Sequence, residues 1–133
     1  MATILCIDND PAILEVLKAL LGSKGHIVLT ATDGPDGIAL THKHSIDAIV
    51  LDFEMPGMDG AQVAQVLMKE QPTTPVVICS GSDQIPDWLM WFADGCYRKG
   101  DDLAVLLLTV DKLVVGRKQP VRIVRSSEQP IAS

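Results

Sequence analysis

Aromatic residues are scarce in this chain: two Trp, two Phe and one Tyr make up 4% of 133 residues, while hydrophobic residues make up 47%. A core with so few rings has to come from Val, Ile, Leu and Ala, a composition that suits a parallel α/β sheet. No apolar run approaches the ~20 residues that span a bilayer. Met1-Ala2-Thr3 leads into a strand without the charged start of a signal peptide, so a soluble, cytoplasmic protein that does not engage membranes is expected. The three cysteines, Cys6, Cys79 and Cys96, form no C-x-x-C pair and no metal spacing. That argues against a disulfide framework or a zinc site and for reduced, buried thiols. Basic charge is short as well: the first 111 residues hold 6 basic and 16 acidic side chains, which excludes nucleic acid as a partner of this region. The one basic stretch is Lys112, Arg117, Lys118, Arg122 and Arg125, with no acid among them. The length suffices for one domain with a real core and not for two. A domain over residues 1–116 and a flexible basic tail over 117–133 are therefore expected.

What the sequence does have is a recurring pattern in which a short apolar run delivers polar residues into a turn. Thr3 to Ile7 reads as a strand ending in Asp8-Asn9-Asp10-Pro11. Pro11 suits the first position of a helix that carries Ile13, Leu14, Leu17, Leu20 and Leu21 inward, and Asp10 caps it. Asp8 has no such structural duty. A second strand, His26 to Thr32, turns at Asp33-Gly34-Pro35 into a short helix through about Lys43, weakened by Gly37 inside it. His42 and His44 near its end read as surface residues. Asp47 to Leu51 forms a third strand delivering Asp52, after which Pro56, Gly57 and Gly60 forbid its continuation and Asp59 caps the next helix. Pro75 to Cys79 is a fourth strand, followed by Ser80. Pro86 starts a short helix to Ala93, in which Trp88 and Trp91, three apart, share a face and mark a partner or dimer surface. Gly95 to Arg98 is a fifth strand with Lys99 at its end, and Asp101-Asp102 opens a last helix through about Val115, closed by Gly116.

Five β-then-α units predict a parallel sheet with helices on both faces, joined by right-handed crossovers. All strand ends then lie on one edge, so Asp8, Asn9, Asp52, Ser80 and Lys99 converge. Carboxylates brought together need a cation, since two unit charges about 4 Å apart repel by roughly 4 kcal/mol at an effective dielectric near 20. Lys99 supplies one positive charge. Mg²⁺ fits the rest, because it needs only one or two carboxylates and keeps waters that a phosphate can displace. An Asp carboxylate can attack phosphorus to give an aspartyl phosphate, whose oxygens the metal, Lys99 and the Ser80 hydroxyl would stabilise.

The pieces I-L-C-I-D-N-D-P, A-T-D-G-P-D-G-I-A-L, D-A-I-V-L-D-F-E-M-P-G-M-D-G, P-V-V-I-C-S-G and A-D-G-C-Y-R-K stand in this order over about residues 3 to 115. Together they resemble the receiver (CheY-like) domain of bacterial two-component response regulators. The resemblance implies a doubly wound (βα)5 fold with flavodoxin-like strand order 2-1-3-4-5. It implies that Asp52 accepts a phosphoryl group from a sensor histidine kinase or phosphotransfer protein, that Asp8, Asn9, Asp52 and the backbone carbonyl of Glu54 surround Mg²⁺, and that Ser80 and Lys99 are the switch hydroxyl and the phosphate-contacting lysine. The expected partner surface comprises the fourth and fifth helices and fifth strand, with Trp88, Trp91, Cys96 and Tyr97, and offers a route to homodimers and to an unknown downstream protein.

The chain departs from the family pattern at four places. Asn9 replaces an acid that usually binds the metal. Cys96 stands where an aromatic usually swings inward, and Tyr97 beside it points to the opposite sheet face. Gly100 replaces a proline that usually follows the lysine through a cis bond, a bond that would cost about 2.5–4 kcal/mol before glycine. The interval from Ser80 to Lys99 is shorter than usual, trimming the fourth helix. Two rivals follow. One is a phosphorylation-independent receiver fold acting as a protein-interaction module, anchored by Trp88 and Trp91. The other is an aspartate-nucleophile phosphatase with Glu54 as acid, opposed by the absence of a second Asp after D-F-E-M and of room for a substrate cap. No separate substrate turnover is expected beyond self-dephosphorylation.

Overall fold

The computed structural model describes residues 1–117, in which five strands and five helices alternate. The strands are β1 Thr3–Ile7, β2 Ile27–Ala31, β3 Ala48–Asp52, β4 Val76–Ser80 and β5 Gly95–Arg98. The helices are α1 Pro11–Ser23, α2 Gly34–Lys43, α3 Gly60–Glu70, α4 Asp87–Phe92 and α5 Leu103–Arg117. All neighbouring strands pair in parallel in the order β2-β1-β3-β4-β5, the order expected.

Alternation along the strands sorts the core into two layers. Ile4, Cys6, Val50, Val77, Cys79 and Tyr97 pack with Leu14, Leu17 and Leu21 of α1 and Leu106, Val110 and Val114 of α5. Leu5, Ile7, Ile49, Leu51 and Ile78 pack on the other face with Val63, Ala64 and Leu67 of α3 and Leu89 of α4. Every residue of β3 and β4 is buried, as their unbroken apolar runs require, whereas β2 and β5 lie at the edges and are partly exposed.

The helix starts follow their caps. Asp10, Asp33 and Asp59 each accept a backbone N–H of the first turn, and Asp59 forms a reciprocal capping box with Gln62. Gly37 is no weakness in α2, because a Cβ there would stand 2.5 Å from Ile7 Cδ1; its absence lets the helix sit directly on β1. Gly116 does not end the last helix, which runs on to Arg117. Burial of Leu106, Val110 and Val114 along one side of α5 outweighs the roughly 1 kcal/mol that glycine costs a helix. Apart from Arg117, the expected tail lies outside the described residues.

Candidate functional site

Asp52 is the last residue of β3, flanked in register by Cys79 of β4, and is only 1% exposed. The chain turns immediately after it: Phe53 N–H still donates to the Cys79 carbonyl at 2.9 Å, and Gly60 N–H returns to the Phe53 carbonyl at 3.0 Å. Gly60 is required at that return, since a Cβ would meet Phe53 Cα at 2.5 Å and the Asp52 carbonyl oxygen at 2.7 Å. On the neighbouring strand ends, Asp8 follows β1 and is buried, Ser80 closes β4 and is buried, and Lys99 follows β5. Lys99 is placed by its own backbone, whose N–H donates to the Ser80 carbonyl at 2.9 Å. Gly100 then turns the chain in a trans conformation at φ 100°, a region open to glycine.

Lys99 Nζ lies 2.6 Å from Asp52 Oδ1, which also accepts the Glu54 N–H at 3.1 Å. Asp52 Oδ2 is buried and has no hydrogen-bond partner. Burial pushes the Asp52 carboxyl up to about 6, with the nearby Asp8 charge adding to the rise and Lys99 opposing it. Burial likewise works against the Lys99 charge, but the Asp52 hydrogen bond and the surrounding carboxylates outweigh it and raise its pKa. Asp8 Oδ1 accepts the Asp10 N–H at 2.9 Å, while Asp10 spends its own side chain on the cap of α1. A cavity of about 590 Å³ opens beside Asp8, Asn9, Asp52 and Lys99 and continues between the sheet and the helices α1 and α5 past Leu17 and Leu106.

Among the described residues, no group of three or more His, Cys, Asp or Glu side chains is placed to hold a metal. The set at this edge is smaller and of another kind: two buried carboxylates, one of them with an orphaned oxygen, beside the exposed Asn9 and backbone carbonyls. That donor set fits a hard cation such as Mg²⁺, which takes one or two carboxylates and completes its shell with water.

Glu54 contributes more than a carbonyl. Its Oε2 accepts the Ser80 hydroxyl at 2.6 Å, its Oε1 accepts the Gly81 N–H at 3.0 Å, and Lys99 Nζ lies 3.7 Å from Oε1. Partial burial works against its charge, but these donors prevail and hold the carboxyl below its ordinary value. The sequence offered this side chain only as the acid of the rival phosphatase reading; its contacts with Ser80 and Gly81 were not foreseen, because its reach across to β4 depends on the loop path after Asp52. The Ser80 oxygen also accepts the Ser82 N–H at 3.0 Å and lies 2.8 Å from the Ser82 carbonyl, so its rotamer is firmly held.

The residues expected at the partner surface separate into three environments. Trp91 is 88% exposed, whereas Trp88 packs partly against the core layer covered by α3 and α4, so the two do not present one shared exposed face. Tyr97 is buried and does not belong to the surface; its hydroxyl donates to the Asp101 carbonyl under α5. Cys96 is exposed, contrary to the expectation of three buried thiols, because β5 is an edge strand and its outer face is covered only by the six residues of α4. Its Sγ donates to Met90 Sδ at 3.5 Å. Cys6 and Cys79 are buried as expected, and burial pushes both thiols up, Cys6 to about 12.

Comparison with known proteins bears on the whole arrangement. The family described as the response regulator receiver domain matches residues 4–99. The chain is 35% identical over 121 residues to Protein PilH of Pseudomonas aeruginosa, covering 87% of this chain and 100% of that protein. Longer regulators match in part: the transcriptional regulatory protein GlrR of Escherichia coli is 36% identical over 86 residues, which are 65% of this chain and 19% of that protein. Among solved structures, the response regulator TrrA of Thermotoga maritima in complex with Mg²⁺ and BeF superposes with a TM-score of 0.79 at 30% identity, covering 85% of this chain and 99% of that one. The same regulator bound to the histidine kinase ThkA gives a TM-score of 0.77 at 31% identity, with 85% and 98% covered. No helix among the described residues is long and apolar enough to cross a membrane.

Proposed function

The chain belongs to the response regulator receiver domain family, and from that premise we propose that it is a phosphoacceptor whose Asp52 is phosphorylated in a Mg²⁺-dependent reaction by a sensor histidine kinase or a phosphotransfer protein. The observation that carries this reading is the buried Asp52 carboxylate, with Oδ1 held by Lys99 and the Glu54 N–H and Oδ2 unpartnered beside the cavity. The free oxygen is the nucleophile. It forms a bond to phosphorus as the phosphorus–nitrogen bond to the donor histidine breaks, and the imidazole nitrogen keeps that electron pair. Lys99 then transfers part of its interaction from the carboxylate to the phosphoryl oxygens, and the Ser80 hydroxyl and nearby backbone N–H groups complete the donor set. Mg²⁺, held by Asp8, Asn9, Asp52 and the Glu54 carbonyl, would supply positive charge to those oxygens. Attack of water on phosphorus breaks the bond to Asp52 and returns the carboxylate, so the domain resets itself without turning over a separate substrate.

Phosphorylation adds about 1.5 to 2 negative charges and biases a two-state surface. That surface is formed by α4, β5 and α5, where Met90, Trp91, Val105 and Leu108 are exposed and Cys96 and Arg98 line the edge strand. It would serve a downstream protein or a second copy of the chain, in the cytoplasm. With 16 acids against 6 bases in the first 111 residues, nucleic acid is not a partner of this domain. The domain occupies about residues 1–116. A second reading, a phosphorylation-independent interaction module, is favoured by Asn9 at the metal edge and by Cys96 in place of the switching aromatic.

Intact mass of the wild type and Asp52→Asn after incubation with acetyl phosphate, with and without Mg²⁺, separates the two readings. A Mg²⁺-dependent gain of one phosphoryl group in the wild type only is the expected result. No gain and no release of inorganic phosphate would leave the interaction module as the function.

A further inference from the structure

Three donors of different kinds converge on one point beside Asp52. They are the Ser80 hydroxyl, the Gly81 backbone N–H and the Lys99 ammonium, and the group they surround is the Glu54 carboxylate, at 2.6, 3.0 and 3.7 Å. Lys99 is shared, standing 2.6 Å from Asp52 Oδ1, so the point lies within one ammonium's reach of the phosphoacceptor. A hydroxyl, a backbone amide and an ammonium aimed at one carboxylate make an anion site. A phosphoryl group carried on Asp52 needs such a site for its oxygens.

We infer that the Glu54 carboxylate is a resident anion in the phosphoryl-oxygen site, one that must leave when Asp52 is phosphorylated and returns when the phosphate departs. The inference rests on Asp52 being a phosphoacceptor. Glu54 is suited to leaving, because its side chain is 42% exposed and can move into water, while its backbone N–H stays on Asp52. Two consequences follow from the geometry. The Ser80 hydroxyl is already drawn towards the site before any phosphoryl group arrives, so part of the switch is preset. The incoming phosphoryl group trades one set of charge-assisted hydrogen bonds for another instead of gaining a new set, which slows phosphorylation and weakens the hold on the product. Glu54 is therefore a positioning residue, acting through Ser80, Gly81 and Lys99.

The test uses Glu54→Gln, which keeps the shape and removes the charge, and Glu54→Asp, which keeps the charge and withdraws it by one methylene. Labelling by acetyl phosphate and the affinity for beryllofluoride, both with Mg²⁺, are compared with the wild type, and the Gly81 amide proton is followed by NMR before and after phosphorylation. Both variants should label faster and bind beryllofluoride more tightly, by about tenfold, the size of one charge-assisted hydrogen bond no longer competed for. In the unphosphorylated variants the Gly81 amide should lose its downfield position. In the wild type it should move little on phosphorylation, because one anion replaces another. Labelling and binding equal to wild type in both variants, or a Gly81 amide indifferent to the substitutions, would overturn the inference while leaving the phosphoacceptor intact. Absence of labelling and of beryllofluoride binding in all three proteins would overturn the phosphoacceptor reading and this inference with it.

Discussion

The two edges of the sheet treat their carboxylates in opposite ways. At the edge where the strands begin, Asp47 Oδ2 accepts the Thr3 N–H at 2.8 Å and Asp94 Oδ2 accepts the Val76 N–H at 2.9 Å, each closing the start of a neighbouring strand. His26 belongs to the same edge: its Nδ1 accepts the Ala2 N–H at 3.3 Å, which leaves the proton on Nε2 to be donated to Asp111 at 3.1 Å. Lys24 completes that group, 3.1 Å from Asp111. At the edge where the strands end, Asp52 is buried with an oxygen that nothing satisfies, and its carboxyl is pushed up to about 6. A sheet of this kind keeps one edge for assembly and leaves the other under electrostatic strain. Strain of this kind marks the candidate functional edge, the one where the proposed function places a cation and a phosphoryl group.

Changes at the two edges should separate stability from phosphoryl acceptance, and the largest effect is expected where both depend on one contact. Gly60→Ala forces a Cβ to within 2.5 Å of Phe53 Cα, backbone that cannot rotate away. A loss of about 3 kcal/mol in urea unfolding and strongly reduced labelling are expected, the range of overpacking against main chain. Lys99→Ala comes next. It leaves Asp52 without its cation and should cost about 1–2 kcal/mol at pH 8, discounted because Lys99 is partly exposed. It should also abolish stable phosphorylation and move the Asp52 titration, followed by carboxyl-carbon NMR, further above its wild-type position. Asp94→Ala at the opposite edge removes an acceptor from a buried strand start and should cost about 1 kcal/mol, while the labelling rate stays at the wild-type value. An Asp94 variant that labels poorly would dissolve the distinction between the edges.

Much of this was legible in the sequence, for reasons that differ from residue to residue. The order of elements was readable because each strand is a short apolar run cut off by Asp, Asn, Gly or Pro, and the caps Asp10 and Asp59 and the turn at Asp33-Gly34-Pro35 mark helix starts. Asp8, Asp52, Ser80 and Lys99 were readable as a group because a parallel sheet sends all its strand ends to one edge. Tyr97 and Cys96 had to face opposite ways by the two-residue period of a strand. Which of the two would be buried depended on what covers each face: α5 is long and covers Tyr97, whereas α4 has six residues and leaves Cys96 open. Trp88 and Trp91 parted for the same reason, since a helix of that length offers one buried line along Leu89 and little else. The pairing of the Glu54 side chain with Ser80 and Gly81 was not legible, because these contacts are made across a loop whose path no local pattern encodes.

The most direct test of the account is urea unfolding of the wild type and Asp52→Asn from pH 4 to pH 8, in chelator and in Mg²⁺. Because the folded-state carboxyl titrates at about 6 instead of 3.8, between those values the native state holds a proton that the unfolded chain has released. Wild-type stability therefore falls as the pH rises through that window, and the deficit persists above it. Asp52→Asn, which never ionises, should be the more stable protein at pH 8 in chelator by about 1–2 kcal/mol, with the difference closing towards pH 4. Mg²⁺ should stabilise the wild type alone. An Asp52→Asn protein less stable than the wild type at pH 8 in chelator would contradict the claim that this edge carries a strained, unsatisfied carboxylate.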